Sequence, residues 1–145
     1  MSNSSANSLG VEQSGRVSPH YDANYWTWQK DVGVVGGWAN KHKFRDTVRP
    51  EDCVVDFGCG GGFLLANLTC GRRVGIEPNE AVRAQLLEHG IVHFETSVAA
   101  SSALGVGFAD IVISNHALEH ALNPLQELRD LWQLLKPGGR IHFYV

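Results

Sequence analysis

The sequence predicts an α/β protein built on a doubly wound, mostly parallel sheet of about five strands, and three observations predict it. Short runs of β-branched and aromatic residues alternate with helically spaced apolar residues over residues 51–145. The run from Asp110 to Ser114 is continuously apolar, as in a strand covered on both faces. The first of the runs, Val54-Val55-Asp56-Phe57, ends in Gly58-Cys59-Gly60-Gly61-Gly62 and passes at once into Phe63-Leu64-Leu65. Such a turn from strand into helix needs backbone angles that glycine adopts at low cost.

Each element has its own signal. Cys53 to Asp56 reads as strand one, Phe63 to Leu68 as the first helix and Val74 to Ile76 as strand two. Asn79 is placed to cap a helix whose apolar face is Val82, Leu86 and Leu87 and which Gly90 ends. Ile91 to Phe94 reads as strand three, Ser97 to Leu104 as a short helix or a loop, and Asp110 to Ser114 as strand four. Asn123, Pro124 and Gln126 take the N-cap, N1 and N3 positions of a further helix. Its stripe Leu125, Leu128, Leu131, Trp132 and Leu135 is expected to be core. Lys136-Pro137-Gly138-Gly139 breaks that helix and leads into strand five, whose Ile141, Phe143 and Val145 form an apolar edge open to self-association.

Upstream of the core, residues 1–18 are Ser-, Asn- and Gly-rich and read as a flexible tail. Residues 19–50 read as an N-terminal helical cap rich in aromatics, with Tyr21, Tyr25, Trp26, Trp28 and Trp38 close together. These side chains either pack a helix against the sheet or fold over a ligand, and the two readings are compatible.

Composition bounds the partners. The chain has 145 residues, is 43% hydrophobic and carries a formal charge of −3, enough for one core and no basic face for nucleic acid. Cys53, Cys59 and Cys70 form no Cys-x-x-Cys pair and no even disulfide framework, which points to a reducing cytoplasm. No run reaches the length of a membrane span.

The turn carries the spacing Asp-x-Gly-x-Gly-x-Gly, with Phe63 where a dinucleotide-binding fingerprint needs its third glycine. A tight glycine turn in another kind of α/β protein is the bland alternative. The pattern resembles motif I of the class I S-adenosylmethionine (SAM) dependent methyltransferases, of the type 11/12 kind. Arg73-Val74-Gly75-Ile76-Glu77-Pro78 follows as a strand ending in an acid, about 20 residues after Asp56, where a nucleotide-binding unit holds ribose hydroxyls. Residues 109–120 and 135–145 resemble the fourth and fifth strands of the same family. The resemblance covers residues 51–145 and implies a Rossmann-like fold. The family's sheet carries a further pair of strands, so the chain reads as truncated after strand five.

By that resemblance SAM is the cofactor, and its binding residues are Asp56, Gly58, Cys59, Gly60, Glu77, Pro78, Asn115 and Tyr25. Asp56 supports the glycine loop, Glu77 takes the ribose and Asn115 stands near the reacting end. Glu95-Thr96-Ser97 occupies the place of a segment that contacts adenine in many relatives.

His116-x-x-Glu119-His120 has three readings. It is a structural element, or, on a helix, two imidazoles and a carboxylate on one face converging on a cation, or a source of a general base, His116 or His120. No metal is assigned. The implied activity is methyl transfer to a small-molecule, glycan or lipid-precursor acceptor. A cofactor-binding module, an inactive fragment and a nicotinamide-dinucleotide oxidoreductase are the alternatives.

Overall fold

The structure is a computed structural model that describes residues 23–145, without the side chains of residues 23–26, 28 and 29. The expected tail, Tyr21, and the side chains of Tyr25, Trp26 and Trp28 lie outside the described residues.

Five strands form one sheet in the order β3-β2-β1-β4-β5. They are β1 (Cys53–Phe57), β2 (Arg72–Ile76), β3 (Val92–Phe94), β4 (Ala109–Asn115) and β5 (Leu135–Tyr144). All four pairings are parallel, with Val55 opposite Val74 on one side and Val112 on the other. The helices are α1 (Ala23–Asn40), α2 (Phe63–Ala66), α3 (Arg83–Glu88), α4 (Ser97–Leu104) and α5 (Pro124–Leu134). The alternation along β1 and β4 divides the core by faces: Val54, Ile111 and Ile113 meet Leu65 and Leu86 on one side. Val55, Val74 and Val112 meet Leu131 and Leu134 on the other. The sheet is therefore doubly wound, as its apolar runs require.

Caps fix where the helices begin. Asn79 accepts from Ala81 N at 3.0 Å, Thr96 from Ala99 N at 3.0 Å and Asn123 from Gln126 N at 3.1 Å. Thr96 resolves the ambiguous segment as helix α4. The expected single helix after Asn79 begins as a 3-10 turn, Glu80–Val82, before α3.

Three packing expectations need correction. Of the expected α5 stripe Leu131 is buried, but Leu125 is 60% and Trp132 is 67% exposed and Leu135 opens β5; Leu134, outside that stripe, is buried instead. The helix offers the sheet a narrow face, and helical spacing alone marks a stripe wider than the one that is covered. Leu87 likewise faces solvent while Val82 and Leu86 are buried. Lys136 to Gly139 lie within β5 as an irregularity: Ala109 pairs with Leu135 and Ile111 with Arg140. Along the rest of β5, Ile141 and Phe143 pack on the α5 side of the core, while Val145 is exposed.

Helix α1 packs through glycine rather than through its described aromatic residue, since Trp38 is 63% exposed. Gly33 and Gly37 let α1 approach α2 until only hydrogen fits between them. A Cβ on Gly37 would sit 2.5 Å from the Phe63 carbonyl carbon and 2.7 Å from Leu64 N. One on Gly36 would meet nothing nearer than Asn40 Nδ2 at 4.0 Å. Gly37→Ala is therefore expected to destabilise the fold by about 1–3 kcal/mol through overpacking. Gly36→Ala is expected to be neutral or to stabilise by up to about 1 kcal/mol through helix propensity. Urea unfolding of the two variants checks the contrast, and equal losses would refute the close approach.

Candidate functional site

Strand order reverses between β1 and β4, so the loops leaving these two strands diverge and open a crevice at their carboxyl ends. A cavity of about 530 Å³ lies there. Its floor is Asp56 and the Gly58–Gly61 loop, one wall is Glu77 to Asn79, and another is Asn115 to Ala117 with His120. Helix α1 closes it with Gly33, Gly36, Gly37 and Asn40.

The glycine loop is shaped by what surrounds it. Gly58 has φ 73°, and a Cβ there would lie 2.2 Å from that of Ala117, so β1 and the segment after β4 could not meet. Its N–H donates to Ile76 O at 2.8 Å, which ties the loop to β2. Gly60, at φ 50°, has open space where a Cβ would stand. The Gly61 amide, in a buried stretch lining the cavity, has no hydrogen-bond partner among the described residues.

Glu77 holds this loop from the side. Its Oε2 accepts from Gly60 N and its Oε1 from Asn79 N, each at 3.0 Å. His93 Nε2 lies 2.7 Å from the Glu77 carbonyl, which can only accept, so that ring nitrogen carries its proton toward it. Burial pushes the Glu77 carboxyl above the usual carboxylate range, against the pull of the Asn79 and Gly60 amides. Burial also pushes Asp56 up to about 8, with the Glu77 charge adding to the rise. Cys59 is buried beside the loop and burial raises its thiol well above the ordinary range, which leaves it a packing group.

On the β4 side, Asn115 Oδ1 accepts from Lys43 Nζ at 2.9 Å. His116 has φ 54°, the only positive value among the described non-glycine residues. Its N–H donates to Tyr144 O at 2.7 Å, and its Nδ1 lies 3.6 Å from Glu119 Oε1. Leu118–His120 is a 3-10 turn, not the helix that the face-sharing of His116, Glu119 and His120 assumed. Among the described residues no group of three metal-ligating side chains converges.

The structure thus brings together Asp56, Gly58, Cys59, Gly60, Glu77, Pro78, Asn115, His116 and His120 around one cavity. The Tyr25 side chain lies outside the described residues. Glu95, Thr96 and Ser97 do not line the cavity: Thr96 caps α4, and Ser97 Oγ donates to Glu127. The sequence reading missed Lys43, whose partner is 72 residues away, and the glycine face of α1. Neither has a local signal, although Gly33, Gly36 and Gly37 at helical spacing were visible as a small-residue face.

Residues 34–145 match the family described as Methyltransferase domain. A ubiquinone biosynthesis O-methyltransferase of Vibrio parahaemolyticus is 34% identical over 98 residues, which cover 62% of this chain and 42% of that protein. The chain spans about two fifths of the length of such curated relatives. A putative SAM-dependent methyltransferase of Methanococcus maripaludis superposes with TM-score 0.68 at 12% identity, covering 89% of this chain and 66% of that one. A SAM-dependent methyltransferase of Thiobacillus denitrificans, solved with S-adenosyl-L-homocysteine, gives TM-score 0.52 at 18% identity over 77% of this chain and 47% of that one. At these identities the two structures are alike in fold.

The raised Asp56 carboxyl has a consequence for stability. Between the ordinary value of 3.8 and about 8 the unfolded chain has lost a proton that the folded chain keeps. Stability from this group is therefore complete below 3.8 and is lost as pH rises to about 8, at up to about 1.4 kcal/mol per pH unit. The stability of Asp56→Asn relative to the parent should grow from pH 5 to pH 8 and level off above, as followed by urea unfolding at each pH. A difference that does not change with pH would show that Asp56 is ionised in the fold.

Proposed function

The chain belongs to the Methyltransferase domain family, and from that premise we propose that it binds SAM in the β1/β4 crevice and transfers its methyl group to a small-molecule acceptor. Glycan and lipid precursors fall within that class. The observation that carries the reading is a glycine loop held open by a carboxylate at the topological switch point.

The residues present fit the cofactor. The open space at Gly60 and the unpartnered Gly61 amide suit a ligand lying on bare backbone. Two carboxyls, Asp56 and Glu77, face a cavity in which no cation pairs with them among the described residues. Each Glu77 oxygen that accepts a backbone N–H retains a lone pair for a ribose hydroxyl. Pro78 and Val82 add an apolar wall beside it for a base.

When bound, SAM supplies a methyl group already activated by its sulfonium. The protein's part is to orient the acceptor and to exclude water. Helix α1 covers the cavity for the second purpose. His116 is placed to take a proton from the acceptor, and Glu119 at 3.6 Å from Nδ1 stabilises the imidazolium that results. His120 lines the same cavity and is the second candidate.

A nicotinamide-dinucleotide reading is less well supported, because Phe63 fills the third-glycine position and its ring packs within 3.0 Å of the space above Gly33. A cofactor-binding module without turnover is the second reading. Association through the outer edge of β5 belongs with it, since a parallel edge strand leaves backbone groups unpaired. The unpaired Cys53, Cys59 and Cys70 support a cytoplasmic location.

Calorimetry with SAM, S-adenosylhomocysteine and NAD is the direct test. SAM and S-adenosylhomocysteine should bind and NAD should not; binding of NAD alone overturns the proposal. Glu77→Ala should weaken SAM by about 1.5–3 kcal/mol, the worth of hydrogen bonds to a charged group. It should also lower stability, because Gly60 N and Asn79 N lose their acceptor. A stability loss with unchanged affinity would assign Glu77 to the loop alone.

A further inference from the structure

We propose that Lys43 is a positioning residue that turns the Asn115 carboxamide so that its NH₂ is offered to the cavity, giving the acceptor side of the site a preference for an anionic oxygen such as a carboxylate or phenolate. The proposal rests on reading the cavity as a methyl-transfer site.

Lys43 Nζ donates to Asn115 Oδ1 at 2.9 Å. An ammonium only donates, so it selects the carbonyl end of the amide and leaves both Nδ2 hydrogens for other partners. No described residue takes them, and Asn115 lines the cavity. The amide therefore presents donors, and an oxygen acceptor suits it where an ammonium would not.

Charge points the same way. Lys43 forms no ion pair with a carboxylate among the described residues. Its neighbours are the neutral amide and the Tyr144 ring, whose centroid is 4.9 Å from Nζ. A half-buried cation without a counter-charge polarises the amide it binds and strengthens that amide's N–H donors. The Asp56 carboxyl in the floor and the Glu77 carboxyl in another wall also line the cavity, while Lys43 stands behind Asn115 and acts on the cavity through that amide.

The lysine is also held firmly. Phe44, the next residue, is fully buried and meets Tyr144 edge to face, with centroids 5.3 Å apart. The turn Lys41–Lys43 is thereby pinned to the end of β5. Its side chain reaches Asn115 from a fixed base.

The test uses the full ¹⁵N-labelled chain, with and without saturating S-adenosylhomocysteine, titrated with benzoate, benzyl alcohol and benzylamine. The Asn115 side-chain amide resonances, assigned with Asn115→Asp, are the readout. Benzoate should shift them and bind about tenfold or more tighter than benzylamine. Lys43→Met should weaken benzoate by about tenfold, Lys43→Arg should restore most of it, and both should leave S-adenosylhomocysteine affinity within about threefold. If Lys43→Met fails to fold, Lys43→Gln carries the comparison. Benzoate binding unchanged in the folded variant, or benzylamine binding as well as benzoate, overturns the proposal. Failure of S-adenosylhomocysteine to bind the parent chain would count against methyl transfer instead, because the benzoate titration without it still reads the amide.

Discussion

The constraint on which the rest depends is that β1 is paired on both sides, to β2 and to β4, while its two faces are buried under different helices. A strand hydrogen-bonded at both edges and covered on both faces has no freedom to shift register, since a one-residue slip would exchange Val54 and Val55 between the two cores. Its carboxyl end is therefore a fixed point. The chain must leave there through a turn tight enough to clear β2 and β4 together, which is why Gly58 at φ 73° faces Ala117 across a gap too small for a side chain. The cavity is the space left by that departure.

Local rigidity of the loop comes from polar groups that are buried and satisfied at once. The Glu77 carboxylate bridges Gly60 and Asn79, and the Glu77 main chain is held by Phe94 and His93. At the other end of the sheet Asp110 does similar work, accepting from Cys53 N at 2.8 Å and pairing with Lys136 at 2.9 Å. Asp52 accepts from Arg49 N and pairs with Arg140. Carboxylates thus fasten both ends of the strands: Asp56 and Glu77 line the 530 Å³ cavity without a paired cation among the described residues, whereas Asp52 and Asp110 line a hollow of about 210 Å³ in which Arg140 and Lys136 pair with them.

The legible parts of the sequence were those whose physics is local. The strand-to-helix glycines, the caps Asn79 and Asn123, and an acid at the end of β2 all announce themselves within a few residues. The residues read in this way as cofactor-binding line one cavity, apart from Tyr25, whose side chain lies outside the described residues. What could not be read depends on tertiary distance. Leu125 and Trp132 share helical spacing with Leu131, yet only packing decides how wide a face the sheet covers. Lys43 looks like one more surface lysine until the fold carries it to Asn115. The reading of His116, Glu119 and His120 as one helical face does not hold because spacing carries no information on the left-handed turn that His116 adopts.

Tyr144 is a joint between three parts of the molecule. Its carbonyl receives the His116 amide, and its ring receives Phe44 and the Lys43 ammonium. A single residue near the end of β5 therefore sets the aim of the candidate base and of the lysine behind Asn115. The Asn115–His116 wall of the cavity thus depends on order at the end of β5, while the glycine-loop floor rests on β1. A substitution at Tyr144 would therefore reach His116 and Lys43 at once without altering either side chain.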